Sequence, residues 1–190
     1  MKKLLSPLLY VCLLVILLLF SACSSSRKVA KPEPANNENR EKELKEKYAT
    51  LLEVPVKNIT NYALYAFINE WYGVPYKFAG RSKNGVDCSD FASLLYEKAY
   101  GLSLSGTCVN MLEQCKPVKE TDLKEGDLVF FKINSKEPSH VGVYLQNSKF
   151  VHASVHSGVV ISDLTQVYYK KYFYKAGRIK NLLTQSNFKD

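Results

Sequence analysis

Hydrophobic and polar positions fall into four successive rhythms along this chain. Residues 8–20 form an unbroken apolar run, and residues 24–47 then carry almost nothing apolar before Leu44. From about residue 54 the apolar positions recur at three- and four-residue spacing. Beyond Pro117 they contract into short β-branched and aromatic runs. The third stretch reads as helices with one buried face, the fourth as strands.

Ile59, Tyr62, Ala63, Ala66 and Phe67 predict the buried side of a helix capped by Asn58 or Thr60 and running through Tyr72. Gly73-Val74-Pro75 stops it, because proline cannot continue the ladder and disfavours helix in the residue before it. Phe91, Leu94, Leu95 and Ala99 predict a second helix, opening at Cys88, with Asp87 as N-cap and Gly101 as the stop. A shorter helix is expected over residues 109–114. Strands are expected at Leu128-Val129-Phe130-Phe131, over residues 141–145, 150–153 and 159–161, and last over 174–179, with a short helix over 164–169. The turns between them are too short for parallel crossovers, so the strands pair as antiparallel hairpins. Helices first and a meandering sheet afterwards gives an α+β fold.

The N-terminus changes the picture by setting a compartment. Met1-Lys2-Lys3 is basic, and the run over 8–20 is shorter than the ~20 apolar residues of a membrane span but suits a secretory signal. It ends in Leu19-Phe20-Ser21-Ala22-Cys23, which resembles the bacterial lipobox, with Phe20 where leucine is usual. This predicts a signal peptide over residues 1–22, a lipidated Cys23 heading a flexible tether over 23–53, a folded domain over 54–183 and a tail over 184–190. An uncleaved anchor and ordinary signal cleavage are the alternatives. A diacylated cysteine carries enough buried chain for stable anchoring, which would hold the protein at the cell envelope, outside the cytoplasm. Within the tether, residues 41–47 alternate charges at helical spacing and predict a solvated helix.

Charge adds little. Loss of residues 1–22 removes Lys2 and Lys3 and lowers the formal net charge from +8 to +6. That suits an anionic envelope polymer. The aromatic-plus-basic pattern of a nucleic-acid groove is missing, no internal repeat is visible, and a monomer is expected.

The candidate chemistry begins at Cys88. A thiol in the first turn of a helix sits where partial positive charge favours the thiolate; the alternative is a small core residue. A thiolate attacking an acyl carbon needs a base, and the base needs a group to hold its ring. The chain has three histidines, His140, His152 and His156. His140 opens one predicted strand and His152 lies on the next, so the intervening turn brings them side by side. His156 falls in a turn and reads as exposed. Each histidine also has a purely structural reading as a satisfied imidazole.

Five motifs then follow one another: Pro75-Tyr76-Lys77-Phe78-Ala79-Gly80, Asn84-Gly85-Val86-Asp87-Cys88-Ser89, Glu125-Gly126-Asp127-Leu128-Val129-Phe130-Phe131, His140-Val141-Gly142-Val143-Tyr144-Leu145 and Val151-His152-Ala153. Their order and spacing resemble the NlpC/P60 family, bacterial cell-wall cysteine peptidases with a papain-like core. The resemblance implies Cys88 as nucleophile, His140 as base and then acid, and His152 as the residue orienting His140. It implies that Tyr76 helps stabilise the oxyanion, and that Asp87 and Ser89 recognise the N-terminal amine of a free peptide stem. For Asp87 the cap role stands beside that one. The chemistry needs no metal or cofactor.

The resemblance implies a lipid-anchored hydrolase of peptidoglycan stem peptides, cutting the D-γ-glutamyl to diamino-acid bond. An N-acetylmuramoyl-L-alanine amidase or an acyltransferase on the same core is one alternative, and a degenerate wall-binding module another. Two departures bear on this. Asp90 stands where the family has glycine, and a carboxylate so near Cys88 would raise the thiol pKa if it faced the sulfur. Gly106-Thr107-Cys108-Val109-Asn110 replaces an arginine-threonine segment that lines the cleft. Cys108 and Cys115 on one helix would lie ~10 Å apart, too far for a disulfide, and read as two core residues unless one faces the cleft.

Overall fold

The computed structural model describes residues 34–180, and its described part from Glu38 onward belongs to one compact unit. The apolar run over residues 8–20 and Cys23 lie outside the described residues. Among the described residues no helix is long and apolar enough to cross a membrane.

Helix α1 (Pro34–Leu52) is longer than the charge pattern over 41–47 predicted. Tyr48, Ala49 and Leu52 are buried in the core, so the expected flexible tether through residue 53 does not describe its C-terminal end. A 3₁₀ turn (Val56–Asn58) leads to α2 (Tyr62–Trp71). Neither Asn58 nor Thr60 caps α2; the Asn61 side chain accepts the Leu64 N–H at 3.1 Å. Its buried face is Leu64, Tyr65, Phe67, Ile68 and Trp71, while Tyr62 and Ala63 face outward. The larger apolar set at i, i+1, i+4 and i+7 sets the phase of the helix, against the smaller set read from the sequence.

A short ribbon of β1 (Arg81–Ser82) and β2 (Gly85–Val86) runs into α3 (Cys88–Tyr100). Asp87 caps α3, and Gly101 ends it at φ 63°, a left-handed conformation in which a side chain would be strained. Helix α4 (Cys108–Glu113) follows, capped by Thr107. Cys115 is not on α4: it opens β3 (Cys115–Val118), a strand the sequence reading missed. Pro117 obscured it. Proline is tolerated there because β3 is an edge strand, paired only with the last strand of the chain.

The remaining strands are β4 (Leu128–Phe131), β5 (His140–Tyr144), β6 (Lys149–Ser154), β7 (Gly158–Asp163) and β8 (Phe173–Ile179), with α5 (Val167–Tyr172) before the last. They form a six-stranded sheet in the order β3-β8-β4-β5-β6-β7, antiparallel throughout. The fold is α+β, as expected. Helix α5 starts later than the predicted 164–169 because Asp163 Oδ1 accepts both the N–H and the hydroxyl of Thr165, at 2.7 and 2.6 Å, holding that segment as a turn.

Both sheet faces are covered. Leu128, Phe130, Val141, Val143 and Val151 pack with α2 and α3, and the alternate residues Val129, Phe131 and Phe150 pack with Tyr169 and Tyr172 of α5. The period-two alternation thus separates two apolar clusters. Asp127, fully buried ahead of β4, accepts Arg178 Nε and Nη2 from β8 at 2.6 and 2.7 Å and the Lys124 N–H at 2.8 Å.

Candidate active site

The approach to Cys88 is held by backbone. Val86 N–H donates to Pro75 O at 3.0 Å and Asp87 N–H to Gly80 O at 3.0 Å. Gly80 lies so close to the returning chain that a Cβ there would stand 2.6 Å from Gly85 O, so a side chain would force the loop apart. Asp87 fixes the rest. Its Oδ1 accepts the Asp90 N–H and the Ser89 hydroxyl, each at 2.8 Å, and its Oδ2 accepts the Ala79 N–H at 3.0 Å. The cap role is therefore observed. The carboxylate is 8 % exposed and already takes donors from three residues of its own chain.

Cys88 is buried in the first turn of α3, next to the opening of β5. Its thiol is held well below the ordinary thiol range. The largest cause is a hydrogen bond from the Cys108 thiol; burial opposes it, and His140 and the Val141 N–H reinforce it. Of the two His140 ring nitrogens, Nε2 lies 2.7 Å from His152 Nδ1, which leaves Nδ1 for the sulfur. The two rings meet at right angles, 4.9 Å between centroids.

His152 is 2 % exposed, and burial, then the charge of His140, push its pKa well down. It stays neutral and keeps one lone pair. For His140 to accept a proton at Nδ1, its Nε2 must carry hydrogen and donate to His152 Nδ1. His152 then carries its own hydrogen on Nε2, which faces Ser162 Oγ at 3.0 Å and Tyr169 Oη at 3.1 Å. The Ser162 hydroxyl donates in turn to Tyr169 Oη at 3.2 Å. Stacking on Phe150, with ring centroids 4.9 Å apart, holds the His152 plane. Ser162 and Tyr169 were not legible as site residues, because β7 and α5 reach His152 only through the tertiary fold. His156 is exposed, as expected.

Asp90 stands apart from this chemistry. Its Oδ1 accepts Arg81 Nη1 at 2.6 Å, and the same guanidinium reaches Ser93 Oγ at 3.1 Å and Glu97 at 3.6 Å. Tyr76 is half-buried and bridges Val86, and burial followed by the neighbouring Cys88 pushes its hydroxyl up to about 12. It stays protonated and able to donate. A groove of about 510 Å³ opens beside the site, lined by Arg81, Ser89, Asp90, Ser93, Leu104 and Ser105.

Cys108 is the residue the sequence placed least well. It is 7 % exposed, and its Sγ lies 3.9 Å from Cys88 Sγ. Burial and the Cys88 sulfur raise its own pKa far above the thiol range, the contact with Cys88 most. Cys115 lies elsewhere, its thiol donating to Met111 O at 3.2 Å.

Comparison with known proteins matches this geometry to a family. The chain is 40 % identical over 110 residues to murein DD-endopeptidase MepS/murein LD-carboxypeptidase of Escherichia coli (strain K12), an alignment covering 58 % of each protein. It is 35 % identical over 109 residues to gamma-DL-glutamyl hydrolase of Bacillus subtilis (strain 168), covering 56 % of this chain and 25 % of that one. The chain thus spans well under two thirds of either relative's length. A crystal structure of a Staphylococcus aureus protein similar to lipoprotein, NLP/P60 family, superposes with a TM-score of 0.57 at 26 % identity, covering 62 % of this chain and 40 % of that one. The NlpC/P60 family model matches residues 73–178, which hold Cys88, His140 and His152 and more than half of the chain, and the protein belongs to the NlpC/P60 family.

Proposed function

We propose that this protein is a peptidoglycan hydrolase that cuts an amide bond of the stem peptide by cysteine chemistry. The observation that carries the reading is the contact between His140 Nε2 and His152 Nδ1 at 2.7 Å, beside a thiol held toward its ionised form. Cys88 attacks the acyl carbon, and the negative oxygen is met by the Cys88 N–H and the Tyr76 hydroxyl. His140, protonated at Nδ1, gives its proton to the leaving amine; water then enters and His140 takes a proton from it. His152 stays neutral and keeps the His140 ring in one orientation. Ser89 and the groove beside Asp90 receive the substrate, and an ammonium of a free stem would approach the Asp87-Ser89 pair from the Ser89 side.

The bond we assign is the D-γ-glutamyl to diamino-acid amide, which the likeness to a gamma-DL-glutamyl hydrolase supports. A second reading, hydrolysis at a D-amino-acid cross-link, draws support from the MepS relative's name. Digesting purified sacculi with the full chain and weighing the released fragments distinguishes them, because each bond leaves a different mass. Fragments ending in γ-glutamate support the first reading. Uncrosslinked but otherwise intact stems support the second, and free stems cut at muramic acid would make the protein an amidase. No release at all would leave a wall-binding module.

We assign residues 1–22 as a signal, Cys23 as the lipid attachment point and the cell envelope as the location. The small residues before Cys23 and the apolar run over 8–20 support this.

A further inference from the structure

The proposed mechanism gives Cys108 no step of its own, although its thiol donates to the Cys88 sulfur. It is carried by α4, twenty residues beyond Cys88, yet its sulfur lies 3.9 Å from the Cys88 sulfur, with both residues buried. A bonded pair of sulfurs stands ~2 Å apart, so the two need close by only about 2 Å. Cys108 enters α4 directly from the loop over residues 101–107, which has Gly101 and Gly106 at positive φ and exposed side chains at Ser103, Ser105 and Thr107. Cys115, the other cysteine of this region, is turned to Met111 and takes no part.

We propose that Cys108 is a resolving thiol for Cys88, so that a disulfide joining them is a second, reversible covalent state of the protein. The geometry alone carries this state; its effect on turnover rests on Cys88 being the nucleophile of the proposed hydrolase. The partner reagent is a low-molecular-weight disulfide, RSSR. The Cys88 thiolate attacks one sulfur of RSSR, forming Cys88–S–S–R and expelling RS⁻. Cys108 then loses its proton and attacks the Cys88 sulfur, forming the Cys88–Cys108 bond and expelling a second RS⁻. The proton from each protein thiol ends on a leaving thiolate. Both protein thiols are oxidised by one electron pair in total, and RSSR is reduced to two RSH.

The order of events follows from the site. While Cys88 is anionic, its sulfur holds the Cys108 proton in place and Cys108 is inert. Once Cys88 is capped by R that negative charge, the largest cause of the raised Cys108 pKa, is gone; burial and Asp87 still oppose ionisation, but Cys108 now lies beside the very sulfur it must attack. The environment that readies Cys88 for an amide carbonyl also readies it for a disulfide, and any site open to the former admits a small example of the latter. The internal bond protects Cys88 from irreversible oxidation and removes it from catalysis until a reductant returns it.

The test uses the full chain, reduced, freed of reductant and incubated with excess oxidised glutathione. It is then alkylated and mapped by peptide mass. The expected result is joint loss of the Cys88 and Cys108 thiols, their recovery as one linked peptide pair, Cys115 still alkylated, and return of both thiols with dithiothreitol. In C108S, Cys88 should instead retain glutathione and show no internal link. Stable glutathione on Cys88 of the unaltered protein with Cys108 still alkylated would overturn the proposal, as would a link to Cys115. If the link forms but the reduced protein never cleaves sacculi, the covalent state stands and the hydrolase reading falls.

Discussion

Arg81 Nη1 donates to Asp90 Oδ1 at 2.6 Å, and Asp90 stands two residues beyond the candidate nucleophile Cys88, in the first turn of α3. Without that pairing the Asp90 carboxylate would be an uncompensated negative charge two residues from Cys88, opposing the thiolate. Arg81→Ala should therefore raise the pH midpoint of Cys88 alkylation, by no more than about one pH unit given the exposure of the pair. The rate of iodoacetamide labelling against pH reads this directly. Adding Asp90→Ala to the same chain should bring the midpoint back down; an unchanged midpoint in both would mean that Asp90 is electrically irrelevant to the sulfur.

Cys88→Ala should reduce sacculus cleavage by on the order of 10⁴-fold or more while leaving the urea-unfolding midpoint nearly unchanged. His140→Ala should approach the same loss. His152→Ala should cost less, about 10²-fold, because His152 touches only the far nitrogen of His140 and moves no proton itself. A larger loss for His152→Ala than for His140→Ala would exchange the two roles.

The buried His152 also makes stability depend on pH. Its folded pKa is depressed, so between that value and the unfolded value of ~6.5 the unfolded chain binds a proton that the folded chain does not. Stability from this residue is thus intact above pH ~6.5 and falls as pH drops, with a slope of at most ~1.4 kcal/mol per pH unit. Urea unfolding from pH 7.5 down to about 5 measures it. His152→Gln, which cannot titrate, should flatten that slope whatever its effect on absolute stability.

Arg178→Ala should destabilise the fold by about 3 kcal/mol. Asp127 is fully buried, and its two oxygens lose the two guanidinium contacts that compensate their charge. Arg178→Ala with Asp127→Asn should recover part of the loss. Denaturant midpoints for the unaltered chain, Arg178→Ala, Asp127→Asn and the double variant test this, and simple additivity would show that the pair is not coupled.

Cys23→Ser should release the full chain from membranes in a fractionation of the producing cell. Retention in the membrane pellet would favour an uncleaved anchor over lipid attachment.

How much of this was legible in advance depends on whether a feature is local. The helix at Cys88, its Asp87 cap and its Gly101 stop were readable because period and capping chemistry act within a few residues. His140 and His152 were readable as neighbours because one short turn separates their strands. The phase of α2 was misread, since two overlapping apolar sets share that segment and only packing against Phe91 and the sheet chooses between them. Strand β3 was missed because Pro117 argues against a strand everywhere except at an edge. The proximity of Cys108 to Cys88, the Arg81–Asp90 pair and the Ser162–Tyr169 support behind His152 all join segments that no periodicity connects.

The register of β5 against β6 has a consequence for how the protein yields under stress. These strands occupy interior positions in the six-stranded order, flanked by β4 on one side and β7 on the other. Their amides should be among the slowest to exchange with deuterium, since freeing them requires opening the sheet from its middle. The two imidazoles are therefore set in masonry, whereas Cys88 and Cys108 are carried by α3 and α4 and the loops that enter them, outside that sheet. Drift in what the proposed hydrolase accepts should accordingly accumulate on the sulfur's side of the cleft, with the imidazole side left as it is.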